Sequence, residues 1–310
     1  MSRPCLLLTN DDGIESDGLH TLIRGLHERG FPIVVVSPAT EQSASGMRLS
    51  LRQNLKFEER QDIAGSLSKP DGPPLRMFSL DGTPCDCVIV AIDGGLSHWV
   101  PEMKPAICIS GINQGPNLSV DVMHSGTVSA AREAGLYGLP SIATSLSTYQ
   151  HSNFEDTSKA TIEVIEAAVE VLPPIAENML RPDGSKTEIY GEDNRERIVS
   201  SFKNGDLMLN INAPETWTNG FQTVSLGVRW YHNAIELAHT STTGVAYGFK
   251  AARIEDEDIP NTDCNAVNSG AVAITPLSCW PANHPLGIPQ GLLEAATKQG
   301  KNGLPFWLTD

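Results

Sequence analysis

Apolar residues in the first part of the chain alternate between short continuous runs and a helical spacing. Residues 5–8 and 33–36 are continuous apolar runs, which are typical of strands buried on both faces. Between them, apolar residues recur at i, i+3, i+4 and i+7 and Gly30 follows, which predicts an amphipathic helix that ends there. The apolar helical positions are Leu19, Leu22, Ile23 and Leu26. A strand, a helix and a strand in this order predict a βαβ unit and a parallel sheet.

The same alternation continues to residue 172. Thr83 and Pro84 are typical of the N-cap and the first position of a helix, and Gly138 is placed to end a later one. Further strands are predicted at 106–109 and 142–146, and further helices at 127–137 and 155–172. Beyond residue 172, two more strands are predicted at 207–211 and 271–275. Repeated strands and helices predict an α/β fold, in which an open parallel sheet is covered by helices.

Two regions interrupt this pattern. Residues 173–206 contain prolines, a glycine and a charged run, which predict a surface loop or insertion. The pattern weakens over residues 220–262, which contain only short β-like runs such as residues 223–228. The run of acidic residues at 255–258 predicts a solvated loop. The tail after residue 281 is rich in Pro and Gly and then has a short amphipathic stretch.

The composition and charge of the chain exclude some classes of protein. A chain of 310 residues, 40% of them hydrophobic and 19% charged, is long enough to bury a sizeable core. Its formal net charge of −15 argues against a protein that binds a nucleic-acid duplex, which needs a basic face. An acidic protein that binds phosphate needs a local positive element, such as a metal ion, a helix N-terminus or a nest of amides.

The start of the chain and its cysteines predict a cytoplasmic protein. The first strand begins by residue 5, which leaves no room for a signal peptide. No apolar stretch approaches the roughly 18 residues of a membrane span, so we expect no membrane partner. The six cysteines show no zinc-binding spacing, and we expect them to be reduced and mostly buried.

Polar residues are concentrated where the predicted strands end. Residues 10–13 follow the first strand, residues 43–46 the second, and residues 110–117 the strand at 106–109. A fourth polar stretch, residues 124–127, opens the next helix. Because ligands bind beyond the carboxyl ends of the strands in a parallel sheet, we expect these four stretches to form one site.

The adjacent carboxylates of Asp11 and Asp12 indicate a metal site. Two neighbouring carboxylates repel each other, and burial strengthens the repulsion, which a hard divalent cation removes. Mg²⁺, Mn²⁺ and Ca²⁺ prefer oxygen ligands. Asp11, Asp12, Ser43 and Asn113 provide a set of this kind. The alternative is that the two aspartates only cap the following helix.

The stretch Ser125–Gly126–Thr127 has two interpretations. Its amides and hydroxyls can hold a phosphate at the positive end of a helix, or they can form an ordinary N-cap. His124 can donate a proton to a leaving oxygen or contact the phosphate, and it can equally be a loop histidine without a role. The chain has no Gly-x-Gly-x-x-Gly, Walker or Gly-x-Ser-x-Gly motif, which disfavours a nicotinamide-dependent oxidoreductase and a Walker-type nucleotide-binding protein.

Several motifs in one order along the chain resemble the stationary-phase survival protein SurE family of metal-dependent nucleoside monophosphate phosphatases. The motifs are TNDDGI at 9–14, VVVSPATEQSASG at 34–46, GTPCDCV at 82–88, SGINQGPN at 110–117, DVMHSGTVSAAREA at 121–134, LNINAP at 209–214 and TDCNAVNSGAVAITPL at 262–277. The resemblance implies a Rossmann-like core in a catalytic domain at 1–282, with an insertion at 173–206 and a β-hairpin extension at 220–262. It also implies a C-terminal arm at 283–310 that is used, like the hairpin, to form dimers or tetramers.

The resemblance also implies a site and an activity. One divalent ion per subunit, Mg²⁺ or Mn²⁺ with Ca²⁺ as a substitute in crystals, would bind the four oxygen ligands named above. Phosphate contacts would lie near Gly46, Ser125, Gly126 and Thr127. The activity would be hydrolysis of nucleoside 5′-monophosphates, and of 3′-monophosphates as an extension of it.

These observations lead to one predicted function and one alternative. We predict a metal-dependent nucleotidase in which Asp11 and Asp12 are the catalytic residues. Asn10, Asn117 and His124 lie in the same stretches, and we expect them to contact the substrate. The alternative is a non-catalytic, nucleotide-binding regulatory protein that kept the pocket, since residues 47 and 48 depart from the family's usual residues.

Overall fold

The elements of this computed structural model are given for residues 3–150, 153–177, 179, 189–241 and 244–309, which the structure describes. The strands are β1 (Cys5–Thr9), β2 (Ile33–Pro38), β3 (Phe57–Glu59), β4 (Leu75–Leu80), β5 (Pro105–Gln114), β6 (Ser141–Leu146), β7 (Leu207–Ala213), β8 (Phe221–Thr223), β9 (Arg229–His232), β10 (Ile235–Ser241), β11 (Gly244–Phe249), β12 (Arg253–Asp256) and β13 (Val272–Ser278). The α-helices are α1 (Asp17–Glu28), α2 (Gln61–Leu67), α3 (Pro84–Val90), α4 (Leu96–Trp99), α5 (Gly126–Leu136), α6 (Glu155–Val171), α7 (Asn194–Lys203), α8 (Asp263–Asn268), α9 (Gln290–Ala296) and α10 (Phe306–Thr309).

Nine of these strands form one sheet, in the order β3-β4-β2-β1-β5-β6-β7-β13-β8. The run from β4 to β7 is parallel throughout. The pairs β3–β4 and β7–β13 are antiparallel, and β8 joins β13 in parallel. In the centre, Leu7 of β1 lies opposite Val34 of β2 and Cys108 of β5. The predicted α/β class with a Rossmann-like parallel sheet is therefore confirmed.

Helices cover both faces of the sheet. Successive side chains of a strand point to opposite sides, so each central strand contributes apolar residues to both faces. Leu6 and Leu8 belong to an apolar cluster with side chains of α1, α6 and α7, whereas Leu7 belongs to a cluster with side chains of α3 and α5. The predicted helical stripe of α1 is also confirmed, since all four of its apolar residues are fully buried. Residues 5–8 were predicted to form a strand buried on both faces. This prediction is confirmed, because every residue of β1 is buried.

The region between β2 and α3 contains elements that the pattern did not indicate. It forms β3, α2 and β4, and β4 is a central strand beside β2. The strand predicted at 106–109 is also longer than expected, because β5 continues to Gln114 through residues assigned to a loop. The polar residue Ser110 is fully buried and pairs with Thr9 and Ala143, so backbone pairing continues the strand past its apolar run.

The predicted surface loop at 173–206 is only partly a loop. Its charged run forms α7, where Asp193 is the N-cap and its side chain accepts a hydrogen bond from the Glu196 amide at 2.9 Å. Ile198 and Phe202 of this helix are buried against the sheet. Residues 178 and 180–188 of the predicted insertion lie outside the described part of the chain.

The predicted hairpin region at 220–262 contains two antiparallel pairs, β10–β11 and β9–β12. Only the first residue of the β-like run at 223–228 belongs to a strand, since β8 ends at Thr223. The acidic loop predicted at 255–258 was wrong in its first half, because Glu255 and Asp256 belong to β12. Asp256 forms an ion pair with Arg229 on the neighbouring strand, so its negative charge is neutralised within the extension.

The C-terminal segment packs on the core of its own chain in this structure. Trp307 is fully buried, and its ring centroid lies 5.2 Å from that of Phe202 in α7. An exchange of this segment between subunits stays a prediction, as do the domain boundaries. All six cysteines are buried, as predicted. Within the described ranges, no helix is both long and apolar enough to cross a membrane.

Candidate functional site

The loops that follow β1 and β2 meet at the carboxyl edge of the sheet. The Ile14 amide donates a hydrogen bond to the Pro38 carbonyl at 2.9 Å, and the Gln42 amide donates one to the Asp11 carbonyl at 2.7 Å. The loop after β2 also reaches the start of α5, because the Gly46 amide donates to the His124 carbonyl at 2.9 Å. Folding thus brings together three of the polar stretches that the sequence analysis singled out.

Asp11 lies against the start of α5. Its side chain is 3% exposed and accepts two hydrogen bonds from Thr127, from the amide at 3.1 Å and from the hydroxyl at 2.5 Å. A Cβ atom at Gly126 would lie only 2.8 Å from Asp11 Oδ2, so glycine allows this close approach. Burial raises the pKa of Asp11, and the hydrogen bonds from Thr127 oppose that rise.

Asp12 lies beside Asp11 and is partly exposed. Its Oδ2 accepts a hydrogen bond from the Gln114 amide at 3.2 Å, which joins the loop after β1 to the end of β5. Burial and, next, the charge of Asp11 raise the pKa of Asp12 to about 7, and Glu41 adds to the rise. The two carboxylates therefore repel each other when both are ionised.

The other two predicted metal ligands flank this pair. Ser43 is exposed, and its hydroxyl donates to Glu41 Oε1 at 2.7 Å. Asp12 and Ser43 line one cavity of about 490 Å³ together with Glu41 and Gln114. Asn113 precedes Gln114 on β5, and its amide nitrogen donates to the Gly115 carbonyl at 2.8 Å, which leaves its amide oxygen as the atom for a ligand.

These residues fit a hard cation. Within the described residues, neither Asp11 nor Asp12 forms an ion pair with a basic side chain, although burial raises the pKa of both. The donors at the site are carboxylate, hydroxyl and amide oxygens, which Mg²⁺ and Mn²⁺ prefer. The described part of the chain contains no group of three or more His, Cys, Asp or Glu side chains that could hold a metal, and the four-residue ligand set stays a prediction.

Residues 125–127 were interpreted either as an ordinary N-cap or as a phosphate site, and the structure shows an N-cap at the start of α5. The Ser125 hydroxyl accepts a hydrogen bond from the Val128 amide at 3.0 Å, and the Thr127 hydroxyl is bonded to Asp11. The capping interpretation of Ser125 is therefore correct, while a phosphate contact by residues 125–127 stays a prediction. His124 is exposed directly before this helix.

Two residues predicted to contact substrate are held in networks inside the chain. Asn10 is fully buried, donates to the Gly13 carbonyl and the Ser16 hydroxyl, and accepts from the Ser37 hydroxyl. Asn117 is buried as well, and its backbone and side chain are bonded to residues of β6 and β7. These contacts order the loops of the site, and a substrate contact by either residue stays a prediction.

Sequence reasoning missed several residues around the site. Glu41 accepts from Ser43 and raises the pKa of Asp12, and its position in the polar loop after β2 was a usable signal. Gln114 holds Asp12 through its backbone, which no side-chain pattern can indicate. Tyr149 lines the cavity from the loop after β6, where the sequence analysis expected no site residue.

The fold and the site define a class of protein: an α/β protein with an acidic site at the carboxyl edge of a parallel sheet, next to a helix N-terminus. A family model narrows this class. The chain belongs to the family described as Survival protein SurE, whose model matches residues 6–233.

Individual relatives agree with this assignment. The "5′-nucleotidase SurE" of Heliobacterium modesticaldum is 33% identical over 285 residues, which are 91% of this chain and 88% of the relative. The "5′-nucleotidase SurE" of Gloeobacter violaceus is 33% identical over 276 residues, which are 88% of this chain and 89% of the relative. The crystal structure of the SurE protein from Aquifex aeolicus gives a TM-score of 0.63 at 27% identity and covers 90% of this chain and 95% of its own.

Proposed function

We propose that this protein is a metal-dependent nucleotidase that hydrolyses nucleoside 5′-monophosphates, with 3′-monophosphates as further substrates. The observation that carries the proposal is the pair of adjacent carboxylates, the buried Asp11 and the partly exposed Asp12. Neither has a basic partner among the described residues, and Asp11 lies against the start of α5. The relatives are named as 5′-nucleotidases, which supports the same reaction for this chain.

Asp11, Asp12, Ser43 and Asn113 would hold one divalent cation, Mg²⁺ or Mn²⁺, with Ca²⁺ as a substitute in crystals. A bound cation of this kind acts as a Lewis acid toward a phosphate oxygen and lowers the pKa of a bound water. Within the proposal, Asp12 serves chiefly as a ligand, and Asp11 serves as the general base that takes a proton from the attacking water.

Other residues of the chain orient the reacting groups. Thr127 holds both oxygens of Asp11 through its amide and hydroxyl, which fixes the direction of the carboxylate. The positive end of α5 would stabilise negative charge on the phosphate oxygens, because the dipole of a helix favours anions at its N-terminus. The Thr127 and Val128 amides are already bonded to Asp11 and Ser125, so this stabilisation is a field effect rather than a hydrogen bond from these two amides. Gly46 supports this stretch through its bond to the His124 carbonyl. His124, which is exposed beside it, is placed to contact the phosphate or to protonate the leaving oxygen.

We expect the protein to act in the cytoplasm as a homodimer or homotetramer. The support for self-association is the β10–β11 hairpin, which carries large apolar side chains that are exposed in the single chain. The support for the cytoplasm is the scattered spacing of the six cysteines, which does not resemble a disulfide framework.

The test of the function is phosphate release from 5′- and 3′-monophosphates of the four common nucleosides with added Mn²⁺ or Mg²⁺. We expect turnover that excess chelator abolishes and that either metal restores. Asp11→Asn should lower kcat by at least about a hundredfold, the scale of general-base catalysis, while the circular dichroism spectrum stays unchanged.

The matched control is Asp71→Asn, since Asp71 is an exposed residue of a surface turn outside the site. It should keep full activity. Undiminished turnover in excess chelator, or a folded Asp11→Asn variant with the wild-type rate, would reject the proposal. Metal-dependent binding of the nucleotides without any phosphate release would favour the non-catalytic alternative.

A further inference from the structure

The cavity beside Asp12 and Ser43 is larger than a phosphate group requires. Its volume of about 490 Å³ lies in the range of small-molecule sites. Tyr149 and Phe154, from the loop between β6 and α6, form part of the same wall. Neither residue has a role in the reaction at phosphorus proposed above, so the cavity has room and apolar surface for another part of the substrate.

Tyr149 and Phe154 differ in how much of each side chain is exposed to solvent. Phe154 is buried, whereas Tyr149 is 64% exposed. The Tyr149 ring nevertheless has firm support, because it lies against Gly115 at the end of β5. A Cβ atom at Gly115 would be only 2.3 Å from Tyr149 Cε1, and Gly115 has a φ of +125°. An exposed aromatic ring that rests on strand backbone is suited to stack on a flat ligand.

The polar residues of the cavity complement a nucleoside. Glu15 and Asp17, at the start of α1, line the same cavity, and ionised carboxylates only accept hydrogen bonds. The hydroxyls of a ribose and the exocyclic amines of a base are hydrogen-bond donors, so they suit these carboxylates. A second phosphate group would instead be repelled by the acidic wall.

We propose that Tyr149 is the stacking platform for the nucleobase and that this contact separates nucleotides from phosphomonoesters without a base. The inference rests on the proposed function, because it places the phosphate at Asp12 and Ser43 and the base at Tyr149 in one cavity. Tyr149 acts on substrate affinity and takes no part in proton transfer.

The test compares Tyr149→Ala and Tyr149→Phe with the wild type, using adenosine 5′-monophosphate and ribose 5-phosphate with Mn²⁺. Tyr149→Ala should raise KM for the nucleotide about tenfold, the scale of one base–aromatic stack, with kcat unchanged. The same variant should leave kcat/KM for ribose 5-phosphate at the wild-type value. Tyr149→Phe keeps the ring and should behave like the wild type with both substrates.

Tyr190→Ala is the matched control, because Tyr190 is similarly exposed and lies outside this cavity. An equal loss by Tyr149→Ala with both substrates, or no loss with the nucleotide, would overturn the inference. If the wild type released phosphate from neither compound, the proposed function would fail first. Calorimetric titration of the nucleotide into the wild type and Tyr149→Ala with Mn²⁺ would then decide the stacking, since equal affinities would overturn it and a tenfold difference would support it.

Discussion

At the scale of single residues, Gly126 controls how closely α5 approaches Asp11. The helix starts directly against the buried carboxylate, and Thr127 donates two hydrogen bonds to it. Sequence analysis selected Asp11, Gly126 and Thr127 as parts of one site, but it assigned them to separate tasks, the aspartate to a metal and the other two to phosphate. The structure adds that Asp11 is in direct contact with Thr127 and lies close to Gly126.

We expect Gly126→Ala to disturb this contact. The added methyl group would lie 2.6 Å from Ser45 Oγ and 2.8 Å from Asp11 Oδ2, so Asp11 or the helix start must move. Because catalysis is sensitive to displacements of about 1 Å, kcat should fall roughly a hundredfold, as measured by phosphate release at saturating nucleotide.

Gly65→Ala provides the comparison, since a Cβ atom at Gly65 in α2 meets nothing within 4 Å. This variant should keep the wild-type kcat and gain slightly in stability from the higher helix propensity of alanine. Wild-type kcat in Gly126→Ala would contradict the close packing of α5 on Asp11.

At the scale of elements, the base of the hairpin extension is tied to the loop before α5. Arg229 of β9 is 6% exposed at its side chain and pairs with Asp121 at 2.9 Å and with Asp256 of β12 at 2.7 Å. The Asp121 carbonyl accepts hydrogen bonds from the amides of His124 and Ser125. The extension is therefore coupled to the start of α5 through a buried ion pair. The sequence pattern was weak in this region, so neither the register of β9 and β12 nor this pair could be predicted.

Arg229→Ala should lower the free energy of unfolding by about 3–5 kcal/mol, because it leaves buried carboxylates without their cation. Urea unfolding followed by circular dichroism measures the change. Arg253→Ala is the control on the same hairpin, since the Arg253 side chain is 66% exposed and its ion pair with Glu255 is accessible to solvent. Equal urea midpoints of unfolding for Arg229→Ala and Arg253→Ala would show that the buried ion pair stabilises the fold no more than the exposed one.

At the scale of the whole molecule, the single chain leaves an apolar surface on the β10–β11 hairpin. Phe249 is 90% exposed, Tyr247 66% and Leu237 59%. Exposed apolar groups of this kind are typical of surfaces that another chain covers. The predicted hairpin extension is present as two antiparallel pairs, while its use in assembly stays a prediction.

Phe249→Asp should reduce the molar mass measured by light scattering from that of a dimer or tetramer toward that of a smaller assembly, because a charge cannot be buried there without a partner. Ile175→Asp is the control, since Ile175 is an exposed apolar residue far from the hairpin in sequence. A monomeric wild type, or a Phe249→Asp variant with unchanged mass, would reject a role of this hairpin in self-association.

The sequence by itself determined the α/β class, the strands and helices of the core, the family and the stretches that form the site. Periodic burial and short polar motifs are local properties, so they can be read from neighbouring residues. The elements it missed include β3, α2, β4 and α7, whose strand or helix pattern is weak and which owe their conformation to packing on the sheet and on the core.

Only the tertiary structure decided which atoms of the site meet. It placed Asp11 against Thr127, 116 residues away, Asp12 against the Gln114 amide, and Tyr149 on Gly115. It also assigned Asn10 and Asn117 to internal networks. Contacts of this kind depend on the register of neighbouring strands and on the distance between a helix and the sheet, and both are set by the packing of the whole core.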